Sequence, residues 1–69
     1  MPEIETLGDA LPKEIERVEG LIKLYEEVPM GYIAAGMMGQ DVKHAKVAII
    51  EGDLPTMITI YKQLKEYHE

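Results

Sequence analysis

The stretch AIIEGDLPTMITIYKQL, residues 48–64, decides how the chain folds. Gly52 suits the left-handed position just past a helix end. Asp53 is a natural side-chain cap for a following helix, and Pro55 falls in a first turn, where its missing N–H costs nothing. So short a joint turns one helix back on the next and predicts an antiparallel helical hairpin. The only β-branched cluster, Ile58-Thr59-Ile60, is short and lies inside this capped helical period, which argues against a strand.

Working outward, helix 3 is expected over residues 54–67, with Met57, Ile60, Tyr61, Leu64 and Tyr67 inward and Thr56, Lys62, Gln63, Lys65 and Glu66 outward. Helix 2 is expected over 30–51. Gly31, Ala35 and Gly39 recur every four residues along one flank, and Met38, Val42, Ala45 and Ile49 form a neighbouring stripe. Ile33, Ala34, Met37, Ala48 and Ile50 make this helix apolar over much of its circumference, so it should touch partners on more than one side. Pro29 separates it from helix 1, because the residue before a proline is pushed out of the α region and the ring breaks the hydrogen-bond ladder. Helix 1 is expected over 11–28, capped by Asp9 with Pro12 early in the helix. Leu11, Ile15, Val18, Ile22 and Tyr25 set a seam that Leu21 and Val28 widen. Gly20 inside it marks either a close approach or a weak spot. Residues 1–8 read as an N-terminal arm, and Ile4 and Leu7 favour its docking.

The whole is one small all-α domain of 69 residues. A chain so short buries only about 60% of its unfolded surface. With no cysteine, neither disulfides nor thiolate-held zinc can add stability, so a helical-bundle homo-oligomer is expected. The surface for it is the Gly31, Ala35, Met37, Met38 and Gly39 side of helix 2. Cysteine and serine nucleophiles are excluded, since the chain contains neither residue. Thirteen acids against seven bases give a net charge of −6, which disfavours DNA and anionic membranes. The deficit is concentrated at the front: residues 1–27 hold eight acids and three bases, leaving 28–69 nearly neutral. Neither an export signal nor a membrane-spanning run is present, so a cytoplasmic protein is expected.

Candidate chemistry is sparse. Gly31 to Gly39 reads as G-x-x-x-x-G-x-x-G but lacks the Lys-Ser/Thr ending and preceding strand of a phosphate loop, so helix packing explains it better. Asp41 and His44 stand three apart, half of a metal site or of an acid–base pair. A surface pairing of Asp41 with His44 or Lys43 is the simpler reading, and neither a metal, a cofactor nor catalysis is expected. Lys43, His44 and Lys46 form the densest basic cluster, the first place to seek a bound phosphate, with help from Arg17. Tyr25 or Tyr32 would stack on a base. The methionines fill the core or supply an adaptable interface.

The joint Glu51-Gly52-Asp53-Leu54 with Met57 and Tyr61 resembles the turn and second helix of one tetratricopeptide hairpin, over about one repeat. A broader likeness spans residues 11–67. Leu11-Pro12-x-Glu14-Ile15-x-Arg17-Val18, then Tyr25, a Gly-rich Met-containing helix, and Ala45-x-x-Ala48-x-x-Glu51-Gly52-Asp53-x-x-x-Met57-x-x-x-Tyr61-x-x-Leu64 together resemble small proteins encoded by tailed bacteriophages. That resemblance implies an accessory protein that counters host defences, by binding a host protein or by capturing a nucleotide immune signal in a helical oligomer, in the host cytoplasm. The expected function is sequestration of a small anionic ligand by Arg17, Tyr25, Tyr32, Lys43, His44 and Lys46 at sites between subunits. The alternative is an adaptor or inhibitor that docks an amphipathic helical surface on a host protein.

Overall fold

The computed structural model describes residues 6–68, which form three helices: α1 (Leu7–Glu26), α2 (Gly31–Glu51) and α3 (Leu54–Glu66). No strand occurs among the described residues. The all-α class with its tight α2–α3 hairpin holds, and the helix ends show what local chemistry adds to it.

Helix α1 starts four residues earlier than its apolar period suggests. Thr6, not Asp9, is the cap. Its Oγ1 accepts the Asp9 N–H at 3.2 Å and donates to Asp9 Oδ2 at 3.0 Å, so Thr6 caps the helix, which then runs through Leu7 and Gly8, and Asp9 orients the capping hydroxyl. Leu7 packs against the chain's own core, whereas Ile4 lies outside the described residues. At the other end α1 stops at Glu26. The N–H groups of Glu27 and Val28 bond to the carbonyls of Leu24 and Tyr25, both at 3.2 Å, and Val28 is left in the turn, more than half exposed.

That turn is tight. Met30 takes a left-handed conformation (φ 69°), unusual for a residue with a side chain, and α2 begins at Gly31 without a side-chain cap. Gly31 lies against the Tyr25 carbonyl so closely that a Cβ there would sit 1.9 Å from the oxygen. The joint from α2 to α3 matches the sequence reading. Gly52 is left-handed (φ 68°), its N–H bonds to Ile49 O at 3.2 Å, and the Asp53 N–H reaches Ala48 O at 2.9 Å. Asp53 then caps α3 by accepting from the Thr56 N–H at 3.3 Å and the Thr56 hydroxyl at 2.7 Å. Because it serves that cap, Thr56 is half-buried rather than outward.

The core is one cluster: Leu11, Ile15, Val18 and Leu21 of α1, Met38, Val42, Ala45 and Ala48 of α2, and Met57, Ile60 and Leu64 of α3. Each helix meets the other two. The small-residue flank of α2 is used here, inside the chain. Gly31, Ala35 and Met38 are buried, and only Met37 (60% exposed) and, in part, Gly39 remain open to a second copy. The flank faces inward because the α1–α2 turn wraps it around Tyr25, leaving the opposite side of α2 outward.

Candidate functional site

Three of the six expected ligand-binding side chains, Arg17, Tyr25 and Lys46, lie where α1 meets the end of α3 or α2, and all three are already engaged. Arg17 spans from α1 to α3. Its Nη2 donates to Leu64 O at 2.6 Å, its Nη1 to Tyr67 O at 2.7 Å, and its Nε to Glu14 Oε2 at 3.0 Å. A guanidinium on the last carbonyls of a helix satisfies acceptors that have no partner within the helix and opposes the negative end of its dipole. Arg17 is therefore a clamp for α3, and its availability to phosphate is not what the basic-cluster reading supposed. Tyr25 is likewise occupied, donating its hydroxyl to His68 O at 2.9 Å.

Asp41 does not pair with His44 or Lys43. It accepts the Tyr67 hydroxyl at 2.6 Å, joining α2 to the residue that follows α3. That hydrogen bond, with some burial and the negative charges of Asp41 and Glu66, pushes the Tyr67 hydroxyl up to about 12 from its usual 10.0. A pKa raised in the folded state means that this contact contributes fully below pH 10 and is lost as pH climbs from 10 towards 12. The C-terminal end of α3 is thus tied by Arg17, Tyr25 and Asp41 together. Replacing Arg17 with Met should keep the aliphatic packing but remove the clamp, lowering unfolding free energy by about 1.5 kcal/mol in a urea titration. Arg17→Lys should recover only part, because an ammonium cannot reproduce the fork.

Lys46 bonds Glu19 of α1 at 3.0 Å, with both side chains about half exposed. Such an exposed pair contributes only about 0–1 kcal/mol, so Lys46 can exchange Glu19 for another anion. Among the described residues Lys43 and His44 make no such pairing. They line an open groove of about 360 Å³ between α2 and α3, with Gln40, Val47, Ala48 and Glu51 beside them and Asp53 and Thr56 opposite. Asp53 is spent on the α3 cap, which leaves Glu51 as the carboxylate that would compete with a bound anion. His44 also faces the lower groove beside Asp41, Thr59 and Gln63. Tyr32 is 67% exposed near the start of α2. Eleven residues separate it from Lys43, roughly 16 Å along the axis, so one chain cannot wrap both around one small ligand.

The structure therefore brings Lys43 and His44 together and leaves Tyr32 apart from them. Gln40, Val47 and Glu51 were missed as groove residues. Their signal was the 4, 3, 4 spacing of 40, 44, 47 and 51, hidden by its mix of polar and apolar types. No cluster of three or more metal-binding side chains occurs among the described residues, and none of their helices is long and apolar enough to cross a membrane. What fold and groove define is a class: a three-helix chain with an α2–α3 hairpin and an open, mixed-charge groove. Comparison with known protein families, curated proteins and solved structures returns no match.

Proposed function

We propose that this chain is a non-enzymatic accessory protein of the phage type, which holds a small anionic ligand of the nucleotide class between the subunits of a homo-oligomer. The observation that carries the reading is Lys43, an ammonium with no ion pair among the described residues, standing beside His44 in the groove of a chain whose net charge is −6. In an acidic protein the ordinary use of a lysine is to neutralise a neighbouring carboxylate. Arg17 and Lys46 do so; Lys43, like Lys23 and Lys62, has no ion pair among the described residues, and its place in the groove is what sets it apart. Lys46 can join when Glu19 releases it. Tyr32 supplies an exposed ring, and because it stands far from Lys43 along the same helix, stacking and phosphate binding fall to different subunits. Stacking contributes about 1–3 kcal/mol per base, so tight capture needs the charged contacts as well.

The test is retention. The purified protein is incubated with a nucleotide mixture, desalted and heat-denatured, and the released compounds are identified. An intact nucleotide is expected. Lys43→Glu should lower retention at least tenfold, about 1.4 kcal/mol, at unchanged helicity. Altered product would identify an enzyme instead, and retention indifferent to Lys43 would remove this groove as the site. A second reading is favoured by the exposed apolar corner of Leu24, Val28 and Met30, which suits docking on a host protein. Absence of any retained ligand together with stable binding of a host protein through that corner would replace the first reading by the second.

A further inference from the structure

We infer that α2 carries a second seam, on the side turned away from the chain's own core, which pairs with α2 of another copy in antiparallel register. The inference rests on the oligomeric part of the proposed function and names the surface and geometry that produce it. Ile33, Met37, Gln40, His44, Val47 and Glu51 follow one another at spacings of 4, 3, 4, 3 and 4, the repeat of a coiled-coil seam. None belongs to the buried face of α2, which is Gly31, Ala35, Met38, Val42, Ala45 and Ala48. Ile33, Met37 and Val47 are 53%, 60% and 42% exposed, so α2 has two seams and the folded chain covers only one.

The partner is a second copy because the seam complements itself in one direction. In an antiparallel pair with the two-fold axis level with Val42, Gln40 meets His44 of the other copy twice, an amide against an imidazole. Met37 meets Val47, also twice. Glu51 reaches the level of Ile33, beside the start of the other α2, where the helix dipole favours a carboxylate and where Met30 provides no side-chain cap. A parallel pair would instead set Glu51 on Glu51 and His44 on His44.

Charge selects the same face. Between Met30 and Ile50 the only carboxylate on α2 is Asp41, which is half-buried and accepts the Tyr67 hydroxyl. Two acidic chains that approach through this side therefore oppose one carboxylate pair, Asp41, each member of which already accepts a Tyr67 hydroxyl. Ile33, Met37, Val47 and the neighbouring Met30, all more than 40% exposed, supply the apolar area that such an interface would bury. The same register brings Lys43 of both copies to the axis, a repulsion that a bridging anion would relieve, and sets Tyr32 of each copy level with Gly52 of the other, roughly 13 Å along the axis from Lys43, so this pair supplies the charged contacts and not the stacking one.

The chain contains no cysteine, so cysteines introduced singly report pairing cleanly. Met37→Cys and Val47→Cys alter exposed positions, and far-UV circular dichroism verifies each fold. Mixed in equal amounts under mild oxidation, the two variants should form the heterodimeric disulfide at least tenfold faster than either forms its own. Within the antiparallel register like positions are ten residues apart, about 15 Å, whereas a disulfide needs Cα atoms within about 7 Å. Efficient self-crosslinking of each variant alone would overturn the antiparallel register. An oligomer by light scattering that yields no crosslink in any combination would remove this seam and leave ligand capture standing, while a monomer at tens of micromolar would remove both.

Discussion

Gly31→Ala should cost more stability than any other glycine substitution in this protein, about 3 kcal/mol, because the added Cβ meets backbone rather than a flexible side chain. The Cβ position lies 1.9 Å from the Tyr25 carbonyl oxygen and 2.9 Å from its carbonyl carbon. Relief requires α2 to move away from the end of α1, which would disturb the turn that Val28 O closes by accepting the Gly31 N–H at 2.9 Å. In a domain this small 1 kcal/mol shifts Tm by about 4–8 °C, so a fall of more than about 10 °C is expected. Gly20→Ala is the matched control. Nothing lies within 4 Å of a Cβ there, so Gly20 is a weak spot and not a close approach. Alanine at 20 should raise stability by about 0.5–1 kcal/mol. Equal effects at the two positions would show that propensity, and not the Tyr25 contact, governs Gly31.

Gly31 also shows where sequence reading ran out. Its recurrence with Ala35 and Gly39 was visible as a period, but a period identifies a face and not what covers it. The α1–α2 turn decides that, and its geometry hangs on Met30 in a left-handed conformation that no residue-type preference announces. The α2–α3 joint was legible because Gly52, Asp53 and Pro55 each favour their observed position for an independent local reason. The start of α1 was misplaced because two capping residues were available. Asp9 stands immediately before the apolar period, yet Thr6 caps the helix three residues earlier by accepting the Asp9 N–H, and the Asp9 carboxylate holds the Thr6 hydroxyl in place.

The candidate site was legible in composition and not in geometry. Helical spacing placed Lys43 and His44 side by side, as observed. It gave no hint that Arg17 would cross to the carbonyls of Leu64 and Tyr67, 47 and 50 residues away, or that Tyr25 would reach His68. Those acceptors are backbone groups, and backbone carries no residue signature. A cation in a sequence is accordingly a weak pointer to a ligand until helix ends have been satisfied. The loss of Arg17 and Tyr25 from the site shifts the expected burden to Lys43, His44 and residues supplied by a second chain.

The two adjacent methionines separate folding from assembly. Met38 is 2% exposed and sits at the centre of the core, so Met38→Ala should cost about 2–5 kcal/mol, as much as a domain of this size possesses, and leave the chain largely unfolded. Met37 is 60% exposed, one residue on and across the helix. Met37→Ala should change the intrinsic stability of the single chain by no more than about 0.5 kcal/mol. Its effect should emerge with concentration, because removing a side chain from the outer seam weakens a contact that stabilises the fold only by mass action. Thermal melts from 1 to 100 μM should therefore show the wild-type Tm rising, the Met37→Ala Tm flatter, and Met38→Ala without a cooperative transition throughout. A Met37→Ala variant that tracks wild type across that range would detach Met37 from assembly. A folded, cooperative Met38→Ala variant would mean that the packing of α2 against α1 and α3 is looser than its burial indicates.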